Sequence, residues 1–269
     1  MTQVQLLNVN INNVAMSDLL SKLQGGGLVV TPNVDHLMKL QRDPDFYGVY
    51  QQAEYTVCDS KILMYVSRFL GTPIQEKISG SDLFPAFYTY YKNDESINIF
   101  LLGAEDGIAE IARRNINAKV GRNIIIDTYS PPFGFEKDRE ECQKIIKLIN
   151  SSDATVLAIG VGAPKQEMWI AKHRKDLNKV KIFLAIGATI NFEAGSIKRS
   201  PKWMSEVGLE WLYRLLSEPK RLWKRYLADA LPFIYLVFKQ RLKIYKNPWS
   251  KVKGDRTNII SIFRGFKRM

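Results

Sequence analysis

The chain has 269 residues, of which 46% are hydrophobic, so it is not a disordered chain and suits one large domain, or one domain plus an appendage. Its net charge is +12, but the residues from Gly195 onward hold 18 Lys and Arg against 5 Asp and Glu, which leaves about −1 for residues 1–194. A neutral body followed by a basic segment indicates a binding appendage for nucleic acid or an anionic membrane surface.

The cysteine and hydropathy patterns favour a reducing, cytoplasmic setting. Cys58 and Cys142 are too few for a disulfide framework, and together with His36 and His173 they do not give a zinc-type spacing. The first residues lack the pattern of a signal peptide, and no run approaches the roughly 20 apolar residues of a membrane span. We therefore expect a soluble or peripheral protein.

Residues 1–194 alternate short apolar runs with longer segments of helical periodicity. In chain order the strand–helix segments are GLVVTPNVDHLMKLQ, YTVCDSKILMYVSRFL, INIFLLGAEDGIAEIARRN, ATVLAIGVGAPKQEMWIAKH and IFLAIGATINFEAG. Repeated strand-then-helix order predicts an α/β fold, with a Rossmann-like, mostly parallel sheet and helices on both faces.

Polar and glycine residues follow the predicted strands at the edge where such sheets bind ligands. These residues are Thr31, Asn33, Asp59, Gly103, Gly162, Gln166, Thr189 and Asn191. The turns GAEDG and GVGAPKQE allow backbone N–H groups to approach a phosphate, but they are equally consistent with plain tight turns. Neither is a dinucleotide or Walker sequence, so a nicotinamide-dependent oxidoreductase has little support.

Two segments that contain acidic residues can also be explained by helix capping or turn formation. In GSDLF, Ser81 or Asp82 is expected to cap a helix start. In DPD, Asp43 and Asp45 have the look of a metal-binding pair, but a proline after an acid commonly opens a helix or turn. The sequence therefore predicts no metal site.

The C-terminal part is predicted to be a basic helical appendage over residues 195–247, followed by a basic, flexible tail over residues 248–269. Pro219 is expected to begin a new helix. Nine apolar residues, Ala230 to Phe238, run into basic residues and suit a segment that lies in a membrane interface. The aromatic residues interspersed with basic ones suit either packing against the body or base stacking; they are Trp211, Tyr213, Trp223 and Tyr226.

Seven segments occur in an order that resembles the WecG/TagA/CpsF family of bacterial glycosyltransferases, from about Leu7 to about Lys246. They are TPNVDHL, CDS with LGTP, EKISGSDL, FLLGAEDG, IGVGAPKQE, AIGATINFEAG with RSPKW, and GLEWLYRLLSEPKRLWKRYL. The resemblance implies transfer of a sugar from a UDP-sugar to a sugar on a polyprenyl diphosphate, with inversion and without a metal or other cofactor. It implies a role in cell-surface polysaccharide biosynthesis.

By this resemblance Asp59 is the general base that takes the proton of the acceptor hydroxyl. Spacing alone favours a solvated or capping role for Asp59 at the start of a helix, and the resemblance reverses that preference. The family usually has glycine after this acid, and Ser60 stands there in this chain. The resemblance also implies that Arg214, Arg221 and Arg225 close over the active site and stabilise the departing diphosphate, whereas a solvated basic face is the alternative.

The remaining candidate positions are substrate-binding residues: Thr31, Asn33, Lys77, Ser81, Gly103, Gly162 and Gln166. Asn33 is also suited to satisfying backbone groups in a turn, and Gln166 to the first turn of a helix. Lys77 lies where the family often has arginine, so the charge is kept and the bidentate fork is lost.

The predicted partners are a UDP-sugar donor, a polyprenyl-diphosphate-linked acceptor and the anionic inner face of the cell membrane. No nucleic acid is expected, and a homo-oligomer is left open. The alternative from another class is a non-enzymatic nucleic-acid- or membrane-binding module on an α/β scaffold. Convergence of Thr31, Asn33, Asp59 and Gln166 on one crevice distinguishes the enzyme from such a module.

Overall fold

A computed structural model describes residues 1–217 and 219–250; it leaves out the side chains of Lys202, Arg214, Lys220, Arg221, Leu222, Lys224, Arg225, Tyr226 and Leu227. The strands are β1 Gln3–Leu6, β2 Val9–Asn12, β3 Gly27–Val30, β4 Tyr55–Thr56, β5 Ile99–Gly103, β6 Ile125–Tyr129, β7 Val156–Gly160 and β8 Ile182–Ala185. Strands β3 to β8 form one sheet in the order β4-β3-β8-β7-β5-β6, and every neighbouring pair is parallel. Strands β1 and β2 form a separate antiparallel hairpin.

Helices precede, connect and follow the parallel strands. They are α1 Met16–Lys22, α2 Val34–Lys39, α3 Pro44–Tyr50, α4 Lys61–Phe69, α5 Gly80–Tyr90, α6 Ile108–Val120, α7 Arg139–Ser151, α8 Lys165–His173, α9 Thr189–Ala194, α10 Lys202–Glu206, α11 Glu210–Ser217 and α12 Pro219–Arg241. Short 3₁₀ turns lie at Leu23–Gly25, Phe135–Lys137 and Arg174–Asp176. Pro219 is the first described residue of α12, and because residue 218 lies outside the described residues, the predicted helix start there stays a prediction.

The sheet is covered on both faces because successive strand residues point to opposite sides. Leu28 and Val30 belong to a buried apolar cluster that includes residues of α2, α3, α4, α7, α8 and α12. Val29, between them, belongs to a second cluster with residues of α1, α5, α6 and α9. The predicted α/β class, with a parallel sheet between two helical layers, is confirmed.

The second half of α12 packs against the body. Phe233 and Val237 are buried in the cluster that contains α2 and α3. Gln240 accepts a hydrogen bond from the Leu7 N–H at 2.8 Å and donates one to the Gln5 carbonyl at 2.8 Å, which joins the helix to the N-terminal hairpin. The division of the chain into a body and an appendage at residue 195 stays a prediction.

The end of the described chain also contacts the body. Trp249 donates its indole N–H to the Leu40 carbonyl at 2.8 Å. The predicted flexible tail, residues 248–269, lies outside the described residues from position 251 onward. Within the described ranges, no helix has both the length and the apolar character that crossing a bilayer requires.

Candidate functional site

The turns after β3, β4, β7 and β8 lie side by side at the carboxyl edge of the sheet. The Asp59 N–H donates to the Pro32 carbonyl at 3.0 Å, which joins the turns after β4 and β3. The Ile186 N–H donates to the Ile159 carbonyl at 2.9 Å and continues the pairing of β8 with β7. These contacts form the continuous edge at which parallel α/β sheets place their ligand sites.

Asp59 is half-buried, three residues beyond the end of β4. Helix α4 has Ser60 at its N-cap position, so Asp59 precedes the cap, and Ser60 makes no side-chain capping bond. The neighbouring Cys58 is buried, and burial raises the pKa of its thiol to about 12. A thiol with that pKa stays protonated near neutral pH, so Cys58 is unsuited to act as a nucleophile.

Thr31 and Asn33 differ in how the protein uses them. Thr31 is buried in the turn after β3. Asn33 is the N-cap of α2, and its side-chain oxygen accepts a hydrogen bond from the His36 N–H at 3.2 Å. Asn33 therefore satisfies a backbone group, as the alternative from the sequence had it, but it does so as a helix cap, and a contact of either residue with substrate remains a prediction.

A polar cluster behind this edge was missed by the sequence reasoning. Lys39 forms an ion pair with Asp35 at 2.8 Å and donates to the Ala163 carbonyl at 3.3 Å, so it links α2 to the turn after β7. His36 Nδ1 and the Tyr50 hydroxyl share a hydrogen bond of 2.6 Å. The available sequence signal was the four-residue spacing of Asp35 and Lys39, which puts both on one face of a helix.

The pKa of the Tyr50 hydroxyl reflects the negative charge of the carboxylates near this cluster. Burial raises its pKa well above the usual value. The carboxylates of Glu167, Asp59 and Asp35 add to the shift, in decreasing order. Tyr50 is therefore neutral at physiological pH, and acidic side chains from three separate segments surround it.

Lys77 lies beside the turn that carries Asp59, because the Ile78 N–H donates to the Cys58 carbonyl at 2.7 Å. Its ammonium group forms an ion pair with Asp82 at 3.0 Å and donates to the Ser205 hydroxyl at 3.2 Å. The positive charge of Lys77 is therefore already paired with Asp82 within the protein.

Asp82 joins Lys77 to a second cation that the sequence reasoning did not single out, Arg199, which also forms an ion pair with Asp82. Burial opposes ionisation of Asp82, but hydrogen bonds from Ser79 and Arg199 together with the charge of Lys77 lower its pKa. Asp82 is therefore ionised and holds two cations at the start of α5.

The expected capping of α5 by Ser81 or Asp82 is wrong. Ser79 is the N-cap, and its hydroxyl accepts from the Asp82 N–H at 3.2 Å. The cap lies two residues before Ser81, and Gly80, the first residue of the helix, lies close to the Ile186 backbone, where an added Cβ would be 3.1 Å from the Ile186 Cα. Ser81 is buried and shares a hydrogen bond of 3.1 Å with Ser79; its contact with substrate stays a prediction.

Three glycines at or just beyond the carboxyl ends of the adjacent strands β5, β7 and β8 lie in a row. A Cβ on Gly103 would lie 2.6 Å from the Gly160 carbonyl oxygen, and one on Gly160 would lie 2.5 Å from the Gly187 carbonyl oxygen. Gly103 also has φ +132°, which favours glycine. Close approach of the neighbouring backbones therefore accounts for glycine at Gly103 and Gly160, and no bound phosphate is needed to explain it.

Gln166 and Gly162 are linked to each other. The Gln166 side chain is buried, and its carboxamide oxygen accepts from the Gly162 N–H at 3.2 Å and the Gly187 N–H at 3.1 Å. Its amide nitrogen donates to Glu167 at 2.9 Å. The predicted substrate contacts of Gln166 and Gly162 thus involve groups that already have partners inside the protein.

The three predicted tail arginines can be placed only by backbone. Arg214 lies within α11, and Arg221 and Arg225 lie within α12, but their side chains are outside the described residues.

One member of the acidic pair Asp43 and Asp45, considered for metal binding, has a structural role. Asp43 caps α3 by accepting a hydrogen bond from the Phe46 N–H at 2.9 Å. In the described portion of the chain, no three His, Cys, Asp or Glu residues are grouped to hold a metal ion.

The parallel sheet, with helices on both faces and polar residues at its carboxyl edge, defines a Rossmann-like α/β protein. A sequence profile of the glycosyl transferase WecG/TagA/CpsF family matches residues 4–247. The chain belongs to this family of glycosyltransferases.

Two relatives have the same name, N-acetylglucosaminyldiphosphoundecaprenol N-acetyl-beta-D-mannosaminyltransferase. The protein of Bacillus subtilis (strain 168) is 28% identical over 94% of this chain and 96% of its own length. The protein of Bacillus spizizenii is 30% identical over 76% of each chain.

Proposed function

We propose that this protein is an inverting glycosyltransferase that moves a sugar from a UDP-sugar to a sugar carried on polyprenyl diphosphate, in the biosynthesis of a cell-surface polysaccharide. The transferred sugar is of the N-acetylmannosamine type or a related hexose or uronic acid. The single observation that carries the proposal is the half-buried carboxylate of Asp59 at the carboxyl edge of the sheet, in a chain that matches the glycosyltransferase family from residue 4 to residue 247. The names of the relatives support the acceptor and sugar classes.

In the proposed reaction Asp59 takes the proton of the acceptor hydroxyl as its oxygen attacks the anomeric carbon of the donor. The new carbon–oxygen bond forms on the face opposite to UDP, the bond from the anomeric carbon to the diphosphate oxygen breaks, and UDP leaves with that electron pair. A positioned general base typically contributes about 10² to 10⁴ in rate. Attachment of Asp59 to the Pro32 carbonyl through its own N–H supports a fixed position for this base.

The departing UDP gains negative charge, which cationic side chains are suited to stabilise. We assign this role to Arg214, Arg221 and Arg225, with Lys77 near the same edge. Because arginine and lysine would take the place of a divalent ion, we expect transfer to be unchanged by excess EDTA in an assay with purified protein. Loss of transfer with EDTA and its recovery with Mg²⁺ or Mn²⁺ would contradict this assignment.

We also propose that α12 holds the protein at the anionic inner face of the membrane, where the acceptor lipid is confined. Phe233 and Val237 face the body, whereas Leu231, Ile234 and Tyr235 are 73%, 50% and 61% exposed. Exposed apolar side chains beside the basic end of α12 suit an interfacial helix, which combines apolar burial with attraction to anionic lipids. Homo-oligomer formation is a separate question that gel filtration with light scattering would answer.

The test is a panel of UDP-sugars with UDP as reference. A bound donor raises the midpoint of thermal unfolding by mass action, and a productive donor also supports transfer to a polyprenyl-diphosphate-linked N-acetylglucosamine. We expect UDP-N-acetylmannosamine or a related UDP-sugar to give both signals. If the protein floats with vesicles but neither binds nor transfers any sugar of the panel, the result would favour the non-enzymatic membrane-binding module.

A further inference from the structure

The carboxamide of Gln166 connects two turns at the carboxyl edge of the sheet. Its oxygen accepts from the Gly162 N–H at 3.2 Å, in the turn after β7, and from the Gly187 N–H at 3.1 Å, in the turn after β8. The two strands are neighbours, and a Cβ added to Gly160 would lie 2.5 Å from the Gly187 carbonyl oxygen, so the two backbones lie close together. The Gln166 oxygen therefore links the two turns in addition to the backbone bond from the Ile186 N–H to the Ile159 carbonyl.

This connection requires one orientation of the amide. A carboxamide has an oxygen end that accepts and a nitrogen end that donates, with nearly the same shape. In the reverse orientation the NH₂ group would face two N–H donors and leave both unsatisfied. Glu167 selects the observed orientation because its carboxylate accepts the Gln166 amide N–H at 2.9 Å.

Glu167 is fully buried, and the Gln166 amide donates a hydrogen bond to one of its two carboxyl oxygens, Oε1. Its second carboxyl oxygen, Oε2, has no hydrogen-bond partner among the described residues. The nearby ionisable groups are Lys39 and Asp35 on α2 and Tyr50 on α3. Burying a carboxyl group with one oxygen unsatisfied costs free energy, which is tolerated more readily at functional sites than elsewhere.

We propose that Glu167 is a positioning residue for the sugar-transfer reaction: it fixes the Gln166 amide so that the turns after β7 and β8 keep the spacing that the donor requires. This proposal rests on the proposed function. It also changes the expected role of Gln166, because both ends of its side chain bind the protein and its contribution to donor binding is made through the two turns.

An exchange of the two residues provides the test. Gln166→Glu keeps an acceptor for both glycine N–H groups but places one carboxyl group against another. Adding Glu167→Gln restores a donor–acceptor pair with its direction reversed, and the double variant has the composition and net charge of the original pair. Glu140→Gln, an exposed substitution in the first turn of α7, is the matched control.

At pH 8 we expect Gln166→Glu to lower kcat/KM at least tenfold, mainly through a higher KM for the donor. The double variant should recover most of that loss, and the control should match the unsubstituted protein. The proposal is overturned if the double variant is folded, with an unchanged thermal midpoint, and is no more active than Gln166→Glu alone.

These measurements distinguish failure of the proposed Gln166–Glu167 pairing from failure of the proposed function. The thermal midpoints of the same four proteins measure the coupling between positions 166 and 167 without any substrate. If no UDP-sugar is transferred by the unsubstituted protein, the proposed function fails, and the positioning role in that reaction fails with it, although recovery of the midpoint would still support the hydrogen-bonded pair. If transfer is present and the double variant recovers the midpoint but not the donor KM, the positioning role alone is overturned.

Discussion

Asp59 and Glu167 are carboxyl groups of the same region, and their surroundings give them different tasks. Asp59 is half-buried at the carboxyl edge of the sheet, where we propose that the acceptor hydroxyl approaches it. Glu167 is fully buried and contacts Gln166. Burial raises the pKa of Glu167 to about 7, so it is only partly ionised at neutral pH. The proposed base and the proposed positioning residue are therefore distinguished by solvent access.

Substitution of Asp59 tests the base directly. Asp59→Asn keeps the size of the side chain but removes its capacity to accept a proton, so we expect turnover to fall about 10²-fold or more with UDP affinity retained. Asp45→Asn, an exposed substitution in the first turn of α3, should leave turnover unchanged and serves as the control. Turnover of Asp59→Asn within a few-fold of the original protein would remove Asp59 from the mechanism.

The raised pKa of Glu167 predicts a pH-dependent stability. The folded state favours the protonated carboxyl, so its contribution is fully present below the ordinary pKa of 4.5 and is lost as pH rises to about 7. A shift of this size corresponds to about 3 kcal/mol, at about 1.4 kcal/mol per pKa unit. Glu167→Gln removes the titration, so its stability relative to the unsubstituted protein should increase between pH 5 and pH 8.

Urea unfolding of both proteins at several pH values measures this difference, with Glu140→Gln as the exposed control. The control should keep a constant difference from the unsubstituted protein across the same range. Parallel stability curves for Glu167→Gln and the unsubstituted protein would show that Glu167 is ionised in both the folded and the unfolded state.

Among the elements, the strands β5, β7 and β8 depend on the glycine row at their ends. In Gly160→Ala the new methyl group would lie 2.5 Å from the Gly187 carbonyl oxygen and 2.8 Å from Ile190 Cδ1, so β7 and β8 must separate. We expect a loss of about 1–3 kcal/mol in the free energy of unfolding, together with weaker UDP binding.

The matched control for this change is Gly48→Ala, in helix α3. A Cβ at Gly48 would meet no atom within 4 Å, and alanine is the better helix former, so we expect unchanged or slightly higher stability. Denaturant unfolding of both variants checks the contrast. Equal stability of the two variants would show that the strand ends accommodate a side chain.

Helix α12 has two apolar faces with separate consequences. The buried face, with Phe233 and Val237, stabilises the fold, and the exposed face, with Leu231 and Ile234, is the proposed membrane contact. We expect the double substitution Leu231→Asn and Ile234→Asn to reduce binding to anionic vesicles about tenfold or more, because burial of each side chain contributes on the order of 1–3 kcal/mol.

Vesicle flotation and UDP binding measured on the same preparation test this assignment. The control is Ile111→Asn with Leu148→Asn, which changes two exposed apolar residues on α6 and α7. UDP binding should be unchanged in both variants. Unchanged flotation of the α12 variant would place the membrane contact on another surface of the protein.

At the scale of the whole molecule, a neutral α/β body continues into a basic C-terminal part. The positive excess begins after α9, which ends at Ala194, and much of it lies in α11, α12 and the residues that follow. The residues after α12 also contact the body, since the Tyr245 hydroxyl donates to Gln41 at 2.7 Å. Membrane docking through α12 would therefore position the body as well as the basic segment.

The sequence by itself determined the class of fold and pointed to the sheet edge at which the candidate site lies. Apolar runs followed by helix-periodic segments require a buried parallel sheet, and parallel strands place all their carboxyl ends at one edge. The family followed from the order of motifs such as TPNVDHL and GVGAPKQE. These features are local in the sequence, so residue type and spacing were sufficient to predict them.

Only the tertiary structure decided how the polar residues at that edge are partnered. That Asn33 satisfies a backbone group was foreseen as an alternative, but its place as the cap of α2 was not, and the ion pair between Asp82 and Arg199 joins residues far apart in the chain. The same is true of Gln166, whose oxygen binds a turn 21 residues away. Such contacts depend on the order in which strands pair in the sheet, and β8 enters between β3 and β7, an arrangement that spacing along one chain does not specify.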